Sequence, residues 1–161
     1  MKTALETYLE TMVRLRSTMS RPEGYHYSCL EEFVLKHGHL RSATKPLKYP
    51  KGPMGECFRN ATNLAQEHPS LIYTEGYANS IIPCAHAWCE TADGTVVDPT
   101  WGAEKDAMQV TYYGVQFRHD FLCETILARR RYGILDNPEQ RFPLLKSPWK
   151  PAIRRSGETK A

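Results

Sequence analysis

The feature that most narrows the fold of this chain is a string of three short strand-like runs behind a helix that a proline must stop. Residues 57–67 carry Phe58, Ala61, Leu64 and Ala65 at helical spacing, and Pro69 forbids continuation. Strand-like runs follow at residues 71–78, 85–90 and 95–98, the last two joined by Ala92-Asp93-Gly94, a tight-turn sequence. Runs this close in sequence pair antiparallel, because a parallel neighbour needs a crossover of a dozen or more residues. The pattern predicts a helix followed by an antiparallel meander.

Around that unit, Thr3 with Glu6 forms a capping-box pattern ahead of Leu5, Leu9, Met12 and Val13. Ser28 with Glu31 repeats the pattern ahead of a helix over residues 30–36, which Gly38 would stop in the left-handed conformation. Residues 39–56, rich in Pro, Gly and Lys, read as irregular loop. Residues 112–115 add a short strand, and residues 120–131 a last helix capped by Asp120 or His119. Helices first and sheet after predict an α+β fold: N-terminal helices, the Cys57 helix packed on an antiparallel sheet, and a C-terminal helix.

At 161 residues the chain has room for one domain, read as residues 1–146 with a basic tail over 147–161. The formal charge of +3 collects at the C-terminal end. Residues 141–161 hold six basic side chains against one acidic, leaving 15 basic against 17 acidic in the other 140. A near-neutral body with a tail anchored by little besides Trp149, Ala152 and Ile153 predicts a solvated tail and no nucleic-acid partner. No run approaches the 18 or more apolar residues of a membrane span, and the first residues lack the apolar segment of a signal peptide. The expectation is a cytoplasmic protein without a membrane partner. Its five cysteines, odd in number and without a C-x-x-C pair, argue against a disulfide framework, and each is by default a small core residue.

Three residues stand where a nucleophilic site would need them. Cys57 opens a helix, His86 lies within a strand and Asp98 ends the next strand. A thiol at a helix N-terminus meets the positive end of the dipole and unpaired N–H groups, which favour thiolate and can hold an oxyanion. An adjacent imidazole can take the thiol proton, and a carboxylate can fix its tautomer. His86 and Asp98 flank the predicted turn, so alternation lets both face the Cys57 helix. Trp88, Trp101 and Tyr49, with Tyr77 and Tyr113, are candidates to line a substrate groove. Cys57, Cys84, His86 and Cys89 could be drawn as a zinc site, but alternation sends Cys89 to the other face of the strand. A zinc-deaminase reading fails because the order of its motif pieces is reversed. No metal or organic cofactor is expected.

The pieces Gly55-Glu56-Cys57-Phe58-Arg59-Asn60-Ala61, Glu75-Gly76-Tyr77, His86-Ala87-Trp88-Cys89-Glu90 and Asp98-Pro99-Thr100-Trp101 together resemble the core of the transglutaminase-like superfamily. The likeness spans about residues 52–101 and keeps the four pieces in order. It implies a papain-like fold and a Cys-His-Asp triad made of Cys57, His86 and Asp98. It also implies acyl transfer from an amide or ester carbonyl of a peptide, protein or small amide, as in a peptidase, amidase, deamidase or amine transferase. Two departures are Glu56 directly before the nucleophile and a second thiol, Cys89, within the His strand. A carboxylate beside the thiol opposes thiolate formation unless it points to solvent. The segments 112–117 and 132–136 are similar to those of small bacteriophage and bacterial proteins of undefined activity, which implies the bacterial host cytoplasm if phage-encoded. The alternative reading is a non-catalytic module that binds a host protein or small ligand through the same groove.

Overall fold

The computed structural model describes residues 1–42, 48–102, 110–146 and 153. Helices α1 (Ala4–Ser17) and α2 (Leu30–His37) precede strand β1 (His39–Arg41) and helix α3 (Cys57–Glu67). Strands β2 (Ile72–Asn79), β3 (Pro83–Glu90), β4 (Val96–Val97) and β5 (Thr111–Gln116) follow, then α4 (His119–Arg129), a 3-10 turn at Pro138–Gln140 and α5 (Pro143–Lys146). The sheet is antiparallel throughout, in the order β1-β5-β2-β3-β4. The fold is α+β. The β2-β3-β4 meander forms as expected, whereas β5 crosses to the far side of β2 and brings β1 to the opposite edge.

Alternation along β2, β3 and β5 sorts the side chains onto two faces. Tyr73, Tyr77, Ala87, Cys89 and Val115 face one way, into the main core, where they meet Leu5 and Leu9 of α1, Phe33 and Val34 of α2, Ala61, Leu64 and Ala65 of α3, and Leu122 of α4. The Cys89 thiol donates to the Ala61 carbonyl at 3.3 Å, which fixes the body of α3 on this face. Trp88, Val96, Tyr112 and Ala78 face the other way and form a smaller cluster with Val110 and Trp101. Gly114 is required there, because a Cβ would collide with the Trp88 ring.

Local signals are met in part. The Thr3–Glu6 capping box forms in both directions. At α2 the Ser28 hydroxyl and N–H instead donate to Glu32, and Glu31 is drawn away to accept from the Tyr77 hydroxyl. Gly38 is extended rather than left-handed; it is glycine because a Cβ would crowd the carbonyls of Val34 and Gly114 at 2.6 Å. The expected 39–56 loop begins with a strand, β1, paired to β5. Helix α4 starts at His119 with Arg118 as cap, while the Asp120 carboxylate binds Arg118 and the Phe121 N–H. Ile153, the one described residue of the tail, forms an antiparallel bridge to Phe117 and packs on the main core, which corrects the solvated reading at that position. The tail's other residues lie outside the described ones. Among the described residues no helix is long and apolar enough to cross a membrane.

Candidate active site

Cys57 is the first residue of α3, held by a loop that is fastened to the strand end carrying Asp98. The Gly52 N–H donates to the Pro99 carbonyl at 2.8 Å, and the Asn60 amide donates to the Pro53 carbonyl at 2.9 Å and the Thr100 hydroxyl at 3.0 Å. Gly52 must lack a Cβ because that space is filled by the Asn60 amide. The helix cap residue, Glu56, gives the first turn no side-chain bond, so its side chain does not occupy the N–H groups at the positive end of the dipole. The Glu56 carboxylate, half-exposed, is paired 2.9 Å from Arg59 Nη1, which offsets part of its charge beside the Cys57 thiol.

His86 and Asp98 meet on the second face of the sheet. The register Cys89↔Val97, carried one residue on, puts Asp98 level with Trp88 and diagonal to His86. The two nevertheless touch: His86 Nε2–H donates to Asp98 Oδ2 at 2.8 Å, with both side chains buried. That bond leaves Nδ1 as the ring atom able to serve the thiol, and the nearby Cys57 thiol favours the charged ring. The expectation that His86 and Asp98 face α3 is corrected. The body of α3 covers the opposite face, and its first turn alone, at the β4 edge, reaches the imidazole.

Asp98 is saturated with donors. Oδ1 accepts the N–H groups of Thr100 at 2.8 Å and Trp101 at 3.0 Å, and Oδ2 accepts the Tyr112 hydroxyl at 3.1 Å beside His86. Burial raises the carboxyl, but the hydrogen bond and charge of His86 and the two N–H donors outweigh it and hold the group below its ordinary 3.8. Burial pulls the imidazole down, and the opposing bonds and charges of Asp98 and Cys57 win, raising it from 6.5 to about 9. The result is a ring built to retain a proton next to a sulfur.

The predicted groove residues part company. Trp101 is half-buried and stacks on the His86 ring at 4.1 Å between centroids and 19° between planes. Trp88 is fully buried and belongs to the second-face core, its indole N–H donating to Glu90 at 3.1 Å, so it cannot line an open groove. Tyr49 packs at a tilt against His68, beyond the other end of an 11-residue helix that spans about 16 Å, and is remote from Cys57. Tyr77 and Tyr113 are on the helix-covered face, donating to Glu31 and to the Leu35 carbonyl. The tyrosine that reaches the site is Tyr112, whose signal in the sequence was only its place one residue out of phase with Tyr113. Among the described residues no three His, Cys, Asp or Glu side chains are grouped to hold a metal ion. Compared with known protein families, with curated proteins and with solved structures, the chain finds no match.

Proposed function

We propose that the chain is a cysteine-dependent acyl-transfer enzyme with a transglutaminase-like, papain-like core. The observation that carries the reading is the buried His86 Nε2–Asp98 Oδ2 bond, on a ring whose charged form the Cys57 thiol also favours. The Cys57 sulfur attacks an amide or ester carbonyl carbon, forming the C–S bond while its proton passes to His86 Nδ1. The oxyanion faces the N–H groups of the first turn of α3. Collapse breaks the C–N or C–O bond, and the ring returns the proton to the leaving amine or alcohol, giving a thioester. Water then completes hydrolysis, or an amine completes transfer, with His86 as base again. Asp98 holds the ring in the tautomer with its proton on Nε2 and favours the imidazolium.

The test is a small activated ester or peptide amide bearing a mass tag. Wild type is expected to gain one acyl group on Cys57, and Cys57→Ala to gain none; acylation of both alike, or of neither, contradicts the proposal. One observation favours the alternative of a binding module. Cys57 is only 9% exposed and Trp101 covers the His86 ring, so the reacting groups are screened in this conformation. Trp101→Ala separates the two readings: it speeds acylation if Trp101 screens an active site, and does nothing for a site that has no chemistry.

A further inference from the structure

His86 has a second buried neighbour on the acid side of the site, and nothing in a Cys-His-Asp triad requires it. Tyr112 lies on β5, fully buried, two strands away from His86 and one step diagonal to it in register, level with Ala78 and Cys84. On β2 between them, Gly76 sits opposite both His86 and Gly114, and Ala78 sits opposite both Cys84 and Tyr112, so only small residues stand between His86 and Tyr112 on this face. The Tyr112 ring lies 5.0 Å from Trp88 and 6.2 Å from His86 between centroids. Its hydroxyl reaches the oxygen of Asp98 that His86 uses.

We propose that Tyr112 is a positioning residue of the site, whose hydroxyl shares Asp98 Oδ2 with the His86 ring and thereby limits how much of the carboxylate's charge the imidazole receives. A carboxylate oxygen bonded to two donors divides its charge between them. The positive end of the Tyr112 O–H dipole points at the same Oδ2, beside the Nε2–H of the ring, and so opposes the imidazolium charge. The inference rests on the proposed function for its purpose, although its physical content concerns His86 alone. The other groups facing the ring are Cys57 from α3, Asp98 from the end of β4 and Cys84 two residues back on β3. Beyond Trp88 lies Glu90, paired to Arg41 of β1 at 3.2 Å. The bonds described to Asp98 Oδ2 come from His86 and Tyr112.

The experiment is an NMR titration of the His86 ring in the full chain, assigned with His86→Gln and run beside the pH dependence of Cys57 alkylation. Tyr112→Phe removes the hydroxyl and keeps the ring. It is expected to move the His86 titration to higher pH by about half a unit to one unit, the scale of one neutral hydrogen bond. Replacing Tyr112 with 3-fluorotyrosine, a stronger donor of nearly the same shape, is expected to move it the other way. It also keeps the test open if the Phe variant fails to fold. Tyr113→Phe, on the opposite face, is expected to leave the titration in place. A His86 titration that stays put in both Tyr112 variants, or moves down with Phe, overturns the inference. A Cys57 thiol inert in wild type contradicts the proposed function instead, and the ring titration still decides the role of Tyr112.

Discussion

The two faces of the sheet bury charge in different ways. On the helix-covered face Glu75 is almost completely buried and accepts three donors, the Tyr73 hydroxyl at 2.7 Å and the N–H groups of Ile134 at 2.7 Å and Leu135 at 2.9 Å. On the other face Asp98 accepts four, one of which is an imidazole. Burial pushes the Glu75 carboxyl up, against the pull of its donors, while Asp98 is held down. The difference lies in the donor that titrates. Glu75 spends its bonds on fixing the 134–135 backbone to β2, so its site is closed. Asp98 gives one to a ring whose other nitrogen it leaves available and whose charged form the Cys57 thiol also favours, so its site has an outlet. Burial of a polar group by itself points to neither stability nor chemistry; the partner at the end of the chain of bonds does.

If the helix-covered face carries stability and the other face carries chemistry, substitutions on the two should separate. The largest effect is expected from Leu9→Ala, in the fully buried interior of the main core. It should cost about 2–5 kcal/mol in denaturant unfolding and leave the alkylation rate of Cys57 in the folded protein unchanged. A parallel loss of thiol reactivity would break the comparison.

Asp98→Asn should act on both readouts. All four groups bonded to the carboxylate are donors, so an amide must aim its NH2 at two of them. We expect Cys57 acylation to slow about 10- to 10³-fold and unfolding to become easier by about 1–3 kcal/mol. Unchanged acylation would reduce Asp98 to a strand-end residue and leave a Cys57–His86 pair.

Glu75→Gln is the matching change on the helix-covered face. It should cost about 1–3 kcal/mol by mispairing one of three donors, with Cys57 acylation unaltered when the folded fractions are equal. A slowed reaction would show that the 134–135 segment supports the site.

The last comparison is the pH dependence of stability. Because the folded His86 ring titrates near 9 rather than 6.5, its contribution is complete below 6.5 and is lost as pH rises through about 9. Asp98 works in the opposite sense, contributing above 3.8 and losing its contribution as pH falls through its lower folded value. Wild type should therefore lose more stability than His86→Gln between pH 6.5 and 9. Equal losses would place the ring outside the buried pair.

How much of this was legible in the sequence depends on range. The α3 helix, the β2-β3-β4 meander and the Thr3–Glu6 cap are set by neighbours in sequence, and appear where spacing puts them. Which edge β5 joins is a non-local choice that periodicity does not encode, so the pairing that brings Tyr112 to Asp98 was invisible. Alternation on β3 separated Cys89 from His86 correctly, but it also placed His86 away from the body of α3, a consequence the helix packing on Cys89 makes plain. Trp88 and Trp101 look alike in sequence; one is core because Gly114 opens a bed for it, and the other is a cover because it follows the Asp98 turn.

The central claim, that Cys57 is the chemically distinct thiol, is tested most directly by peptide mapping after limited iodoacetamide treatment of the native protein between pH 6 and 8. Exposure alone ranks the half-buried Cys84 and Cys123 ahead of the buried Cys29, Cys57 and Cys89. Activation by His86 ranks Cys57 first in spite of its burial. First labelling at Cys57, abolished by His86→Gln, is the expected result; first labelling at Cys84 or Cys123, with Cys57 slow in wild type and variant alike, contradicts the assignment.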